Sequence, residues 1–208
     1  MNKRVLVFGL LIILGLSFVY AARMQAEIGL TKNWNLVYGF TASSVSESEL
    51  ENIKAIYAFI PTTQEYVRVY PEPEISKINS IGESYLWKSA VWVYYDKKYE
   101  GVTTKYNVEE PPALEEMQLY RRWNFVGVTP KFDKDENGVF KWNEVKGNCD
   151  ILKINYYNTD LNEWSEVSLS SEIGINDALW RGFVILVSND CKLGVSSEAI
   201  SSPPAIPA

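Results

Sequence analysis

The chain has 208 residues, with 20 Lys and Arg against 26 Asp and Glu, no His, and a net charge of −6. That acidic balance argues against nucleic acid and anionic membrane surfaces as partners. The absence of His removes Ser–His and Cys–His dyads and the commonest proton shuttle, and a hydrophobic content of 47% excludes wholesale disorder.

At the N-terminus, Lys3 and Arg4 precede the uncharged run Val5–Val19, and Val19-Tyr20-Ala21 suits a signal peptidase. The reading is a secretory signal over 1–21, cleaved before Ala22. The apolar run is short for the roughly 20 residues of a bilayer span. An uncleaved N-terminal anchor is the alternative, and this segment is the only membrane contact expected. Either way the remainder is extracytoplasmic, secreted or attached to the cell surface. In that oxidising setting the two cysteines, Cys149 and Cys191, are expected to form a disulfide.

Three blocks then recur in order. Trp34-Asn-Leu-Val37 returns as Trp123-Asn-Phe-Val126, and Ile53–Val69 returns as Ile151–Val167. Leu86–Val91 returns as Leu179–Val184. The spacings are 89, 98 and 93, which predicts a β repeat over 31–101, a linker over 102–119, a second β repeat over 120–194 and a disordered Ser/Pro/Ala tail over 195–208. Each copy reads as a strand, a hairpin and a continuous apolar strand, Val91–Tyr95 or Phe183–Val187. Ser46-x-x-Glu49 is a capping box opening a short helix, and Asn143–Gly147 is its counterpart. The fold class expected is mainly β with short helices: two tandem copies of a small sheet module, sandwich-like, as one sandwich or two domains. At these spacings Cys149 falls on Glu51 and Cys191 on Lys98, so Glu51 and Lys98 are expected to adjoin.

A tandem module opening on Trp-Asn-aliphatic-Val and closing on Val187-Ser-Asn-Asp-Cys-Lys-Leu-Gly194 resembles exported archaeal surface proteins with Gly-Trp-Asn-like repeats. In this chain Asn33 and Arg122 stand where those repeats have Gly. The resemblance implies an envelope location and no particular activity.

Two features carry candidate chemistry. Asp133, Asp135, Asn137, Gly138, Val139 and Glu144 match positions 1, 3, 5, 6, 7 and 12 of a calcium loop, with the Val139 carbonyl as the seventh-position ligand. Against it stand Lys141 at position 9, the lack of an entering helix, and the plainer reading of a solvated acidic turn. Calcium is the one cofactor suggested. Among the aromatics, the matched pairs Trp34/Trp123 and Trp87/Trp180 read as core, while Trp92, Tyr94 and Trp142, with Tyr99 and Tyr106, are candidates for a sugar-stacking platform. Carboxylate clusters such as Glu47, Glu49 and Glu51 sit at a helix start where solvated charge is the ordinary reading, and no Gly-rich phosphate loop is present. The expectation is a non-catalytic protein with a binding or envelope-structural role, its partner an extracellular protein or a glycan. The alternative is a carbohydrate-binding module using exposed aromatics.

Overall fold

The structure, a computed structural model, describes residues 23–97 and 103–195. The signal segment, Lys98, Tyr99 and the tail beyond Val195 lie outside these. Among the described residues fourteen strands follow one another: β1 (Arg23–Ile28), β2 (Asn33–Tyr38), β3 (Ile53–Ile60), β4 (Glu65–Tyr70), β5 (Ala90–Tyr95), β6 (Thr104–Glu109), β7 (Gln118–Leu119), β8 (Arg122–Gly127), β9 (Val139–Phe140), β10 (Ile151–Asn158), β11 (Glu163–Glu166), β12 (Ile173–Gly174), β13 (Gly182–Val187) and β14 (Cys191–Lys192). Short helices α1 (Glu47–Leu50), α2 (Ile75–Ile81), α3 (Glu83–Lys88), α4 (Trp142–Val145) and α5 (Ile175–Ala178) join them. The Ser46 hydroxyl accepts the Glu49 N–H at 3.4 Å at the start of α1, as the capping pattern predicts. None of the described helices is long and apolar enough to cross a membrane.

Two antiparallel four-stranded sheets form the frame, and they share one topology: β2-β5-β3-β4 in the first half, β8-β13-β10-β11 in the second. Asn35 and Ile56 both face Val93, just as Asn124 and Ile154 both face Ile185. Each sheet has a register irregularity at the same place, between Ile53 and Ala55 and between Ile151 and Lys153. The halves therefore correspond at offsets of 89 for the first strand, 98 for the hairpin and 92 for the last strand.

That final offset corrects the sequence alignment by one residue. In the first half α3 runs to Lys88, directly before β5; in the second, α5 stops at Ala178 and the chain turns through Trp180 at φ 65°. Trp87 and Trp180 are accordingly not equivalent, and continuing the offset places Cys191 on position 99 instead of Lys98.

Strands apolar on both faces need cover on both. One face of each sheet packs on its own core. In the first half β1, β6, α2 and α3 supply the lid, with Ala26, Ile28, Tyr106, Val108, Ile78 and Leu86 buried beneath it. In the second half Phe132, Phe140, Trp142, Val145, Ile175 and Leu193 do the same. Within the stretch expected as a linker, 102–119, residues 104–109 form β6, which pairs with β1, and Leu114, Met117 and Leu119 enter the second core. The residues of β1, β6 and the 114–119 segment alternate or cluster their apolar side chains too briefly for sequence periodicity to register them.

The other faces meet each other around Leu36, Phe59, Ala90, Phe125 and Val184. Close approach depends on small residues on the facing strands. A Cβ on Gly127 would lie 2.4 Å from the Tyr38 side chain, and one on Gly182 would lie 2.3 Å from Leu36. Tyr38 and Gly127 occupy equivalent positions, so the ring of one half fills the space left by the other. Two sheets of the same strand order thus pack face to face, sandwich-like.

Candidate functional site

The Trp-Asn motif at the start of β2 and β8 does two different jobs, because successive strand residues point to opposite faces. The Asn turns inward. Asn35 Oδ1 accepts the Thr31 N–H at 3.0 Å, while its Nδ2 donates to the Thr31 and Asn33 carbonyls at 2.8 and 3.0 Å. Asn124 repeats the pattern with the Tyr120 N–H at 2.8 Å and the Tyr120 and Arg122 carbonyls at 2.7 and 3.0 Å. Both amides are buried, and each holds its preceding turn in a left-handed conformation at Asn33 (φ 91°) and Arg122 (φ 83°). The Trp points the other way, into the space between the sheets.

That space is a cleft walled by aromatic side chains. Its floor is the Phe59–Phe125 stack, with ring centroids 4.7 Å apart and planes 14° from parallel. Trp92 is the hub: it meets Trp34, Tyr157 and Trp164 edge-on at 6.2, 4.9 and 5.5 Å. Trp34, Tyr57, Tyr66, Trp92 and Tyr157 line a cavity of about 450 Å³. A second, of about 390 Å³, is lined by Phe59, Tyr66, Trp123, Phe125 and Trp164 together with Lys153, Asn155 and Val184. At the rim, Tyr66 and Trp164 are 49% and 46% exposed. The Lys153 ammonium lies 3.1 Å from Glu166, so the cation beside the second cavity is already paired. One end of the cleft is clamped: the Gln64 amide, at the tip of the β3–β4 turn, accepts the Trp123 N–H at 3.2 Å and donates to its carbonyl at 3.1 Å.

Of the predicted platform residues, Trp92 is at the centre of this cleft. Tyr94 shares its sheet face and packs edge-on against Trp34 at 5.0 Å, beside the first cavity. Trp142 is not available to a ligand. It is fully buried among Phe132, Phe140 and Phe183, because α4 turns its apolar side into the second core. Trp34 and Trp123, expected in the core, are half-buried cleft walls. Tyr57, Tyr66, Tyr157 and Trp164 escaped sequence reading. Their signal was alternation within the hairpins, where the cleft-facing positions carry the aromatics.

The acidic loop folds on itself. The Asp133 carboxylate accepts the N–H groups of Asn137 and Gly138 at 3.1–3.2 Å, and Asn137 Oδ1 accepts the Val139 N–H at 3.0 Å. Glu144 pairs at 3.5 Å with Lys141, which also reaches Glu172 at 3.2 Å. The hydrogen bond that Lys141 donates to the Glu172 carboxylate and the charge of Glu144 raise the Lys141 pKa. Asp135 is exposed, and among the described residues no three His, Cys, Asp or Glu side chains converge to hold a metal. The loop's oxygens serve its own backbone, which is the chemistry of Asx turns. Cys149 and Cys191 are bonded, with Cα atoms 5.2 Å apart, tying β14 to the start of β10. Such a bond fits an oxidising compartment.

A larger cavity, about 630 Å³, runs between β2 and β10 and shares Tyr157 with the cleft. Along it Asn35 holds the preceding turn, and Arg181 Nε donates to the Asp177 backbone carbonyl at 3.1 Å. The aromatic cleft, with ring surface exposed at its rim, is the stronger candidate. The chain matches no protein-family model, no curated protein and no solved structure.

Proposed function

We propose that this is a non-catalytic extracytoplasmic binding protein, made of two copies of one β module, that seats its ligand in the aromatic cleft between the two sheets. The observation that carries this is the cavity walled by Trp34, Tyr57, Tyr66, Trp92 and Tyr157, five rings and no charged side chain. Concave, largely aromatic cavities of this size are ordinary ligand seats. Duplication is supported by the shared strand order and the matching Asn35 and Asn124 networks. The left-handed positions Asn33 and Arg122 are those where Gly-Trp-Asn repeats carry Gly, which adopts that conformation without strain and so supports the resemblance. Export is supported by the Lys3–Ala21 segment and by the disulfide.

The test is a paired glycan and peptide array probed with the purified protein and with Trp164→Ala. A ligand held by the first and lost by the second is expected. Ligands bound equally by both, or none, contradict the assignment. The N-terminal residue of the exported protein is expected to be Ala22, and retention of Met1 would make the segment an anchor instead. An envelope-structural role is the second reading. It is favoured by the exposed Leu152, Leu161 and Trp164 on the β10–β11 hairpin, at 60%, 64% and 46%, and predicts self-association on size exclusion.

A further inference from the structure

We infer that the cleft holds a linear, uncharged glycan across two quasi-equivalent subsites, an inference that rests on the binding role proposed above. The two cavities are related by the same offsets as the strands. Trp34, Tyr57, Tyr66, Trp92 and Tyr157 of the first correspond to Trp123, Asn155, Trp164, Val184 and Phe59, and all five of these line the second. The cavities share Tyr66 as a common wall, and Trp92 of one stands 5.5 Å from Trp164 of the other. They are therefore adjacent halves of one seat.

The chemistry of the walls selects the ligand class. Ring faces of Trp and Tyr present an apolar surface with a polar tip, which suits the C–H face of a pyranose whose hydroxyls remain near water. The substitutions between halves are directional: Tyr57 and Trp92 become Asn155 and Val184, and Lys153 is added. The first subsite thus grips ring faces, and the second offers amide and ammonium donors to hydroxyls. Because Lys153 is paired with Glu166, neither subsite carries an uncompensated charge. The chain's net charge of −6 also opposes a polyanion. Two weak subsites in line gain affinity when one ligand spans both, since the second contact is made at high effective concentration. That arrangement calls for a chain of rings in preference to a single one. Proline-rich peptides also read aromatic grooves, and they are the competing outcome.

The experiment is isothermal titration of the purified protein with β-1,4-linked glucose, N-acetylglucosamine and mannose oligomers of one to six units. A proline-rich decapeptide and a galacturonate oligomer are run in parallel. Affinity for one neutral series should rise at least tenfold with length and then level off. Trp164→Ala should flatten that rise, and Tyr66→Ala should lower hexamer affinity at least tenfold. Both side chains are about half exposed, and unchanged melting temperatures will show that the variants fold. Binding that ignores length, or that prefers the peptide or the uronate, overturns the glycan inference. The binding role itself survives that result if Trp164→Ala still abolishes the interaction. Failure of every probe together with a blank array overturns both.

Discussion

Asn35 and Asn124 show how one residue type accounts for a repeated motif. Each satisfies a backbone N–H and two carbonyls that the turn before the strand leaves open. Truncation leaves buried polar groups unpaired, at a cost of about 1–3 kcal/mol for such a group. Asn35→Ala and Asn124→Ala are each expected to destabilise by about 2–3 kcal/mol in urea unfolding, whereas an exposed control such as Asn143→Ala should change little. The adjacent Trp carries no such duty, which leaves it free to face the cleft. Sequence matching alone could not separate these roles. Recurrence of Trp-Asn marks a position as shared between halves, but only the parity of the strand against two stacked sheets tells which side chain is core and which is wall. Trp142 is the converse case: it has no tryptophan counterpart in the first half, yet Phe140, Trp142 and Val145 are pinned in the second core.

At the scale of elements, the two sheets approach closely because Gly127 and Gly182 face Tyr38 and Leu36. Neither glycine has a left-handed φ, so space alone decides the effect of a side chain there. Gly127→Ala and Gly182→Ala are expected to cost about 1–3 kcal/mol through overpacking, read as a lowered melting temperature. Gly138→Ala is the informative contrast. A Cβ there meets nothing within 4 Å, but φ is +77°, so its penalty is backbone strain and should spare the cleft. Strand pairs and the Ser46 cap were legible in sequence, since period-two alternation and capping residues act locally. The β1–β6 pair, the 114–119 segment and the one-residue shift ahead of β13 were not legible. They depend on partners 70 residues or more away in sequence, as with Ile28 and Thr104 or Leu119 and Cys191, or on turn geometry such as that at Trp180.

For the whole molecule, the Cys149–Cys191 bond closes a loop of 42 residues. Its removal, by reduction or by the double Ala variant, is expected to cost about 4 kcal/mol on the chain-entropy model. If unfolding stability is unchanged by reduction, the bond does not act in this way. Alkaline pH probes the cores from another side. Burial raises the hydroxyl pKa values of Tyr38, Tyr85 and Tyr106 above the ordinary 10.0. A raised folded-state pKa means that their contribution is complete below pH 10 and declines as pH climbs above it. Absorbance titration of the phenolates should therefore fall short by about three tyrosines until unfolding releases them. A smooth titration of all tyrosines in the folded state contradicts the burial described.

The cleft itself makes one sharp demand of the molecule's seven tryptophans. Trp34, Trp92, Trp123 and Trp164 line it, while Trp87, Trp142 and Trp180 do not. The indole N–H resonances report each separately during titration with the neutral hexasaccharide that binds most tightly. Shifts confined to the four cleft indoles are expected. Shifts at Trp87, Trp142 or Trp180 with the cleft set unmoved would contradict the cleft as ligand seat.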